Sequence, residues 1–252
     1  MSKLFKCFII FIIMFNNSLN TEPTTEIKAA IFDLDGTLLD TQKLYDEANQ
    51  MFIDKYGNGK KYDEELKVKI HGSNASFGNK FLVNHFEIKL TLEEFTKKKD
   101  QYLFDKVKEC KPMEGVKELT HILKHKYNLK TAIATSSLKS SVNIKLTNHQ
   151  DWIKSDFDII IDGEDKRVVN GKPSPDIFLV AAKELGVRPE ECIIFEDAIN
   201  GVQAALNTGA SIVVGLPDPY VKNMMENLPY DKCKTKLCIL THYNDFNYSL
   251  IK

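Results

Sequence analysis

Short continuous apolar runs, each closing on polar residues, constrain this chain more than any other feature. They are IKAAIFD at 27–33, LKTAIATSS at 129–137, FDIIIDGED at 157–165, ECIIFED at 191–197 and ASIVVGL at 210–216, and KLCIL at 236–240 reads as a short sixth. A strand buried on both faces shows no polar alternation, because neither face meets water. Between the later runs the apolar spacing changes to three and four. Val116, Leu119, Ile122 and Leu123 mark one helix, and Ile177, Phe178, Ala181 and Leu185 mark another that stops at Gly186. Ser174-Pro175 reads as the start of that second helix, with Ser174 as cap and Pro175 in its first turn. AINGVQAALNTG at 198–209 makes a third. Strand alternating with helix requires a parallel sheet covered on both sides, so the expected class is α/β with a doubly wound core.

One stretch departs from the alternation. After the first strand, Leu44, Tyr45, Ala48, Met51, Phe52 and Tyr56 recur at helical steps until Gly57, and 62–72, 74–86 and 91–109 continue as charged amphipathic helices. No strand is needed until the Pro112-Met-Glu-Gly115 turn. The expectation is therefore a core built from 27–41 and 112–252, with an inserted helical domain at 42–111.

Charge excludes one class of partner. The 34 Lys and Arg balance 35 Asp and Glu, for a net charge of -1, so no broad basic surface is available for nucleic acid. TKKKD at 96–100 reads as a solvated helix face. Residues 1–20 follow a different pattern: Lys3 and Lys6, an apolar run at 7–15, then polar residues, with Ser18 and Asn20 as candidate cleavage positions. That is the order of a secretory signal peptide. The run is well short of the ~20 residues a spanning helix needs. The chain is expected to be secreted if this leader is removed and cytoplasmic if not, and a monomer is the default. Of five cysteines, Cys7 would leave with the leader, Cys110 and Cys192 lie in the body of the chain, and Cys233 and Cys238 could pair in a secreted protein. No C-x-x-C pair supports a zinc or redox motif.

In a doubly wound sheet, ligands bind at the carboxyl ends of the strands. Asp33 and Asp35 end the first run, Thr135, Ser136 and Ser137 the second, and Glu196 and Asp197 the fourth, with Lys172 in a Gly-Lys-Pro turn before it. Four carboxylates in one site repel one another, and a hard divalent cation such as Mg²⁺ resolves the conflict with oxygen ligands and retained water. Mg²⁺, a lysine and hydroxyl donors together suit a phosphoryl group. One carboxylate is then free to act as nucleophile, and another two residues on can manage the proton. An EF-hand does not fit, since Gly36 falls at position four of such a loop and Leu44 at position twelve. A sugar-transfer D-x-D would use the aspartate pair but not Lys172 or Glu196-Asp197.

DLDGTLLD, ATSS, GKPSPD and FEDAINGVQAALNTG occur in the order of the four motifs of the haloacid dehalogenase-like superfamily, which the chain resembles over nearly its whole length after Lys28. The resemblance implies Asp33 as nucleophile, forming a phosphoaspartate, and Asp35 as general acid/base. It implies Thr135 and the following amides, with Ser136, as phosphoryl-binding groups, and Lys172 as the neutralising cation. Mg²⁺ would be held by Asp33, the carbonyl of Asp35, Glu196 and Asp197. Dehalogenases lack the second aspartate, so Asp35 favours phosphate chemistry. DTQKLYDEANQMF, HGSNA, GEDKRVVNGKPSPDIFLVAAK and FEDAINGVQAAL are similar to the pseudouridine-5'-phosphatase-like group, which implies a small phosphorylated metabolite as substrate. The inserted helices would then be a cap, with Gly72 and Gly78 bracketing a substrate loop, His71 a candidate substrate contact where relatives often carry Met-Gly, and Pro112 and Gly115 near a hinge. A phosphomutase on the same scaffold and a secreted non-catalytic binding protein are the alternatives.

Overall fold

In the computed structural model, which describes residues 25–251 except Gly72, Asn74 and Tyr220, the first apolar run becomes β1, Ala29–Phe32. The expected leader at 1–20 and Gly72 of the expected substrate loop lie outside the described residues. Four helices follow: α1 Gln42–Tyr56, α2 Glu64–Ile70, α3 Ala75–His85 and α4 Leu92–Lys108. Then come α5 Val116–His121, β2 Lys130–Ala134, α6 Lys139–Lys145, α7 Gln150–Asp156, β3 Ile159–Ile161, α8 Asp176–Glu184, β4 Cys192–Glu196, α9 Ile199–Asn207, β5 Ile212–Gly215, α10 Lys222–Glu226 and β6 Lys236–Ile239. All six expected strands form, and they make one parallel sheet in the order β3-β2-β1-β4-β5-β6.

β1 lies at the centre because both its faces are buried. Ala30 and Phe32 face one apolar layer, with Ile133, Phe195, Leu119 and Phe157. Ala29 and Ile31 face the other, with Ala134, Ile194, Phe178 and Val202. Phe32 lies opposite Phe195 of β4, and the two rings stack at 4.3 Å. Full burial of such a ring contributes about 2–3 kcal/mol. Strand order reverses between β1 and β4, which opens a crevice at their carboxyl ends.

The start of α8 differs from the expected one. Pro175, not Ser174, holds the cap position, and the Ser174 hydroxyl donates to Asp176 Oδ1 rather than accepting a backbone N–H. Cys233 and Cys238 are free thiols.

The four helices α1–α4 have an apolar centre of their own, made of Phe52, Ile53, Leu82, Phe86 and Phe95. α4 opens on a capping box: the Glu94 N–H donates to Thr91 Oγ1 at 3.2 Å, and the Thr91 N–H donates to Glu94 Oε2 at 2.9 Å. The chain leaves the core and returns to it side by side. The Asp40 N–H donates to the Lys111 carbonyl at 2.9 Å, the Met113 N–H to the Leu38 carbonyl at 3.0 Å, and Leu39 and Pro112 form an antiparallel bridge. His149 Nε2 donates to the Cys110 carbonyl at 2.8 Å, and Asn148 Nδ2 to that of Lys108 at 3.0 Å, so α4 is tied to the core at its end. No helix among the described residues is long and apolar enough to cross a membrane.

Candidate active site

Strand β1 stops, but its ladder continues for one residue. The Asp33 N–H donates to the Phe195 carbonyl at 3.0 Å, so the backbone carrying Asp33 is fixed by the sheet. The chain then turns tightly: Leu38 and Leu39 N–H both donate to the Leu34 carbonyl, at 3.0 and 2.9 Å. Gly36 makes the turn possible. Its φ is +82°, and a Cβ there would stand 2.1 Å from Asp197 Oδ2. The missing side chain thus lets the Asp197 carboxylate approach the backbone next to Asp35. Thr37 Oγ1 donates to Asp197 Oδ1 at 2.8 Å, and the carbonyl of Thr37 accepts from buried Tyr243 at 2.7 Å.

Lys172 joins two of the acids. Its buried ammonium donates to Asp33 Oδ1 at 2.5 Å and Glu196 Oε1 at 2.6 Å. Burial opposes the charge on Lys172, but Asp33 and Glu196 outweigh it and hold its pKa above the ordinary lysine value. Asp33 is pushed up to about 7, by burial first and then by the charges of Glu196 and Asp35, against the pull of Lys172. Asp197 is also driven well above the usual range, by burial and by Glu196 and Asp33. Glu196 is fixed from a second side, since its Oε2 accepts the Ala198 N–H at 2.8 Å. Gly201 on α9 leaves it room, as a Cβ there would lie 1.7 Å from Glu196 Oε1.

Asp35 meets the opposite environment. Lys145 lies 2.6 Å from its Oδ1 and donates to its Oδ2 at 2.7 Å; Ser137 Oγ donates to Oδ2 at 2.7 Å and Thr41 Oγ1 to Oδ1 at 2.8 Å. Burial alone would raise this carboxyl, but the charge and hydrogen bond of Lys145, with Ser137 and Thr41, bring it below the usual range. Lys145 is fully buried and sits 5.3 Å from the ring centre of Tyr45 on α1.

The loop after β2 completes the site. The Thr135 N–H donates to the Ile161 carbonyl at 3.0 Å, and Thr135 Oγ1 accepts the Ser137 N–H at 3.1 Å. Half-buried Ser136 stands between them. A Cβ on Gly163 would meet the Ser136 carbonyl at 2.4 Å, so a glycine is needed where the β3 loop packs against this one.

Asp33, Lys172 and Glu196 are thus brought into direct contact, Asp197 joins them across the Gly36 turn, and Asp35 and Thr135 both bond Ser137. His71 is within hydrogen-bonding reach of Gln42 and, at 3.3 Å, of Asp46, both on α1, and Gln42 directly follows Thr41, which bonds Asp35. Thr37, Thr41, Lys145 and Tyr243 also belong to the site; the two threonines lie within the quoted motif stretches, which imply no role for them, and Lys145 and Tyr243 lie in none of those stretches. The donor set suits a hard divalent cation: two buried carboxyls, Asp33 and Asp197, are raised by burial first and then by the carboxylate charge around them, and Lys172 makes ion pairs with Asp33 and Glu196 but not with Asp197. Mg²⁺ needs one or two carboxylates and keeps several waters.

A model of the haloacid dehalogenase-like hydrolase family matches residues 27–209. The chain is 36% identical over 196 residues to a probable pseudouridine-5'-phosphatase of Drosophila melanogaster, covering 77% of this chain and 83% of that one. It is 33% identical over 201 residues to a probable pseudouridine-5'-phosphatase of Saccharomyces cerevisiae, covering 77% of this chain and 84% of that one, and 33% identical over 211 residues to (DL)-glycerol-3-phosphatase 2 of Arabidopsis thaliana, covering 82% of this chain and 86% of that one. Among solved structures, a putative beta-phosphoglucomutase from Thermotoga maritima is 31% identical with a TM-score of 0.60, covering 85% of this chain and 94% of the other.

Proposed function

This chain belongs to the haloacid dehalogenase-like hydrolases and is a phosphoric monoester hydrolase, and on that premise we propose that it cleaves a small phosphomonoester in two steps through Asp33, with Mg²⁺ as cofactor. The observation that carries this reading is the opposite setting of two aspartates on one strand end, Asp33 against Lys172 and Asp35 against Lys145. Asp33 is raised by burial in the metal-free chain, and a bound cation would bring it down to the ionised form that a nucleophile needs.

In the first step an oxygen of ionised Asp33 attacks phosphorus, the bond from phosphorus to the substrate oxygen breaks, and Asp35, protonated once the charge of the arriving phosphoryl group has raised its pKa, gives that oxygen its proton. In the second step Asp35 takes a proton from water, the water oxygen attacks phosphorus, and Asp33 leaves as a carboxylate. Lys172 holds the Asp33 oxygen and faces the phosphoryl group as it arrives. Thr135 and the amides that follow it bind the phosphoryl oxygens. Asp33, Asp197 and the Asp35 carbonyl would hold Mg²⁺, with Glu196 alongside. When bound, Mg²⁺ offsets the charge of the phosphoryl group beside Asp33. The helices α1–α4 act as the cap that excludes water while the acyl phosphate forms.

The names of the relatives point to pseudouridine 5'-phosphate, glycerol phosphate or a sugar phosphate as substrates to try. The test is inorganic phosphate release from that panel, with Mg²⁺, with chelator, and with Asp33→Asn. Release is expected only with Mg²⁺ and Asp33 both present, and appreciable turnover by Asp33→Asn would overturn the assignment. The similarity to a putative beta-phosphoglucomutase favours one other reading, return of the phosphoryl group to a sugar. An isomerised sugar phosphate without stoichiometric phosphate would support it.

A further inference from the structure

Side chains that bind cations also meet at the other edge of the sheet, where β2 and β3 begin. There α5 ends in His121 and runs into a wider, π-helical turn, Ile122–Lys126, closed by the Tyr127 N–H on the Ile122 carbonyl at 3.1 Å. Such turns are rare and recur at functional sites. This one sets the rings of His121 and His125 4.4 Å apart. Both reach the last residue of α7. His121 Nδ1 lies 3.6 Å and His125 Nε2 3.3 Å from the same oxygen, Oδ1 of Asp156. Two ligand atoms on one tetrahedral zinc stand about 3.4 Å apart, given bonds of roughly 2.1 Å. Among the described residues this is the one group of three His, Cys, Asp or Glu side chains whose ligand atoms all lie within 4.8 Å of one another.

The carboxylate is held for the purpose by a second set of bonds. Asp156 is 2% exposed, and its other oxygen, Oδ2, accepts from the buried Thr120 hydroxyl at 2.7 Å. Thr120 in turn accepts from Trp152 Nε1 at 2.9 Å. Oδ1 is thereby turned toward the imidazoles. Ser155 Oγ donates to Oδ1 at 2.8 Å and lies 3.4 Å from His125 Nε2, so a further oxygen stands at the same point. Outer bonds of this kind orient metal ligands and sharpen affinity. Both imidazoles are open to solvent, which leaves remaining coordination positions to water.

We infer that His121, His125 and Asp156 form a site for a divalent transition-metal cation of the zinc type, distinct from the acids at the carboxyl edge. Two imidazoles and one carboxylate select zinc, nickel or copper over Mg²⁺, which prefers oxygen alone. A bound cation would clip the segment entering β2 to the segment entering β3, and would stabilise the fold by binding it alone.

The test uses the full chain, stripped with chelator and kept in millimolar Mg²⁺ throughout. Zn²⁺ is titrated into the unmodified protein, into Asp33→Asn and into the His121→Gln/His125→Gln double variant, by calorimetry and thermal midpoint. Expected are one equivalent bound by the first two and lost in the double variant, together with the rise in midpoint that Zn²⁺ gives. Thr120→Val keeps the three ligands and is expected to bind roughly 10-fold more weakly. The inference falls if the unmodified protein binds no Zn²⁺ under these conditions, or if the double variant matches it in both stoichiometry and affinity.

Discussion

Asp33 and Asp35 are separated by Leu34 alone, yet their surroundings pull their protons in opposite directions, and this has a sign that stability can read. Without a divalent cation, the folded chain holds a proton on Asp33 up to about pH 7, whereas an unfolded aspartate releases it near pH 3.9. Between those values the native state binds more protons than the unfolded state, so stability falls as pH rises from about 4 to about 7. Asp197 acts in the same direction, and Asp35, whose carboxyl is lowered, acts in the other, its contribution being lost on acidification. Asp33→Asn removes the part of the first effect that Asp33 carries. In chelator, its thermal midpoint is expected to fall less than that of the unmodified protein across this range. An equal fall in both would mean that Asp33 titrates as an ordinary carboxyl.

At the scale of single elements, helix α9 makes a prediction that runs against helix propensity. Replacing a glycine inside a helix by alanine usually stabilises by about 1 kcal/mol. Gly201 is expected to do the reverse, because the new Cβ would land 1.7 Å from Glu196 Oε1, and Glu196 is itself held by Lys172 and the Ala198 amide. Gly201→Ala should lower both the unfolding midpoint and turnover, and a gain in midpoint would show that Glu196 can move aside freely. The elements themselves were largely legible in the sequence. Burial on both faces leaves a continuous apolar run in every central strand, and the groups at strand ends, Asp33, Thr135 and Glu196, are fixed by local chain geometry. Lys145 was not legible. It lies 110 residues from Asp35, on a short helix where a lysine reads as solvated, and the packing of that helix against residues of α1 and α4 covers it. Thr37 and Thr41 share the reason: their partners are set by a turn whose shape depends on Gly36 and on the distant Asp197.

Over the whole molecule, the apolar layers on the two faces of the sheet and the aromatic cluster of α1–α4 are separate. The helical block is joined to the sheet by one pair of crossings, by the bonds from Asn148 and His149, and by a small seam in which Ala48, Leu103 and Val107 pack with Cys110 and Ile144. Units with their own cores open with their own free energies. Native-state hydrogen exchange should therefore find amides of α3 and α4 opening together at a lower free energy than those of β1 and β4. One common value for all of them would make the molecule a single cooperative unit. The paired crossings at Leu38–Asp40 and Lys111–Met113 have a further consequence, for ancestry and for engineering. A chain that departs and returns at adjacent backbone hydrogen bonds puts almost no constraint on the length of its excursion, since the ends meet whatever lies between them. One helical insert can be exchanged for another of different size while every acid at the strand ends keeps its place.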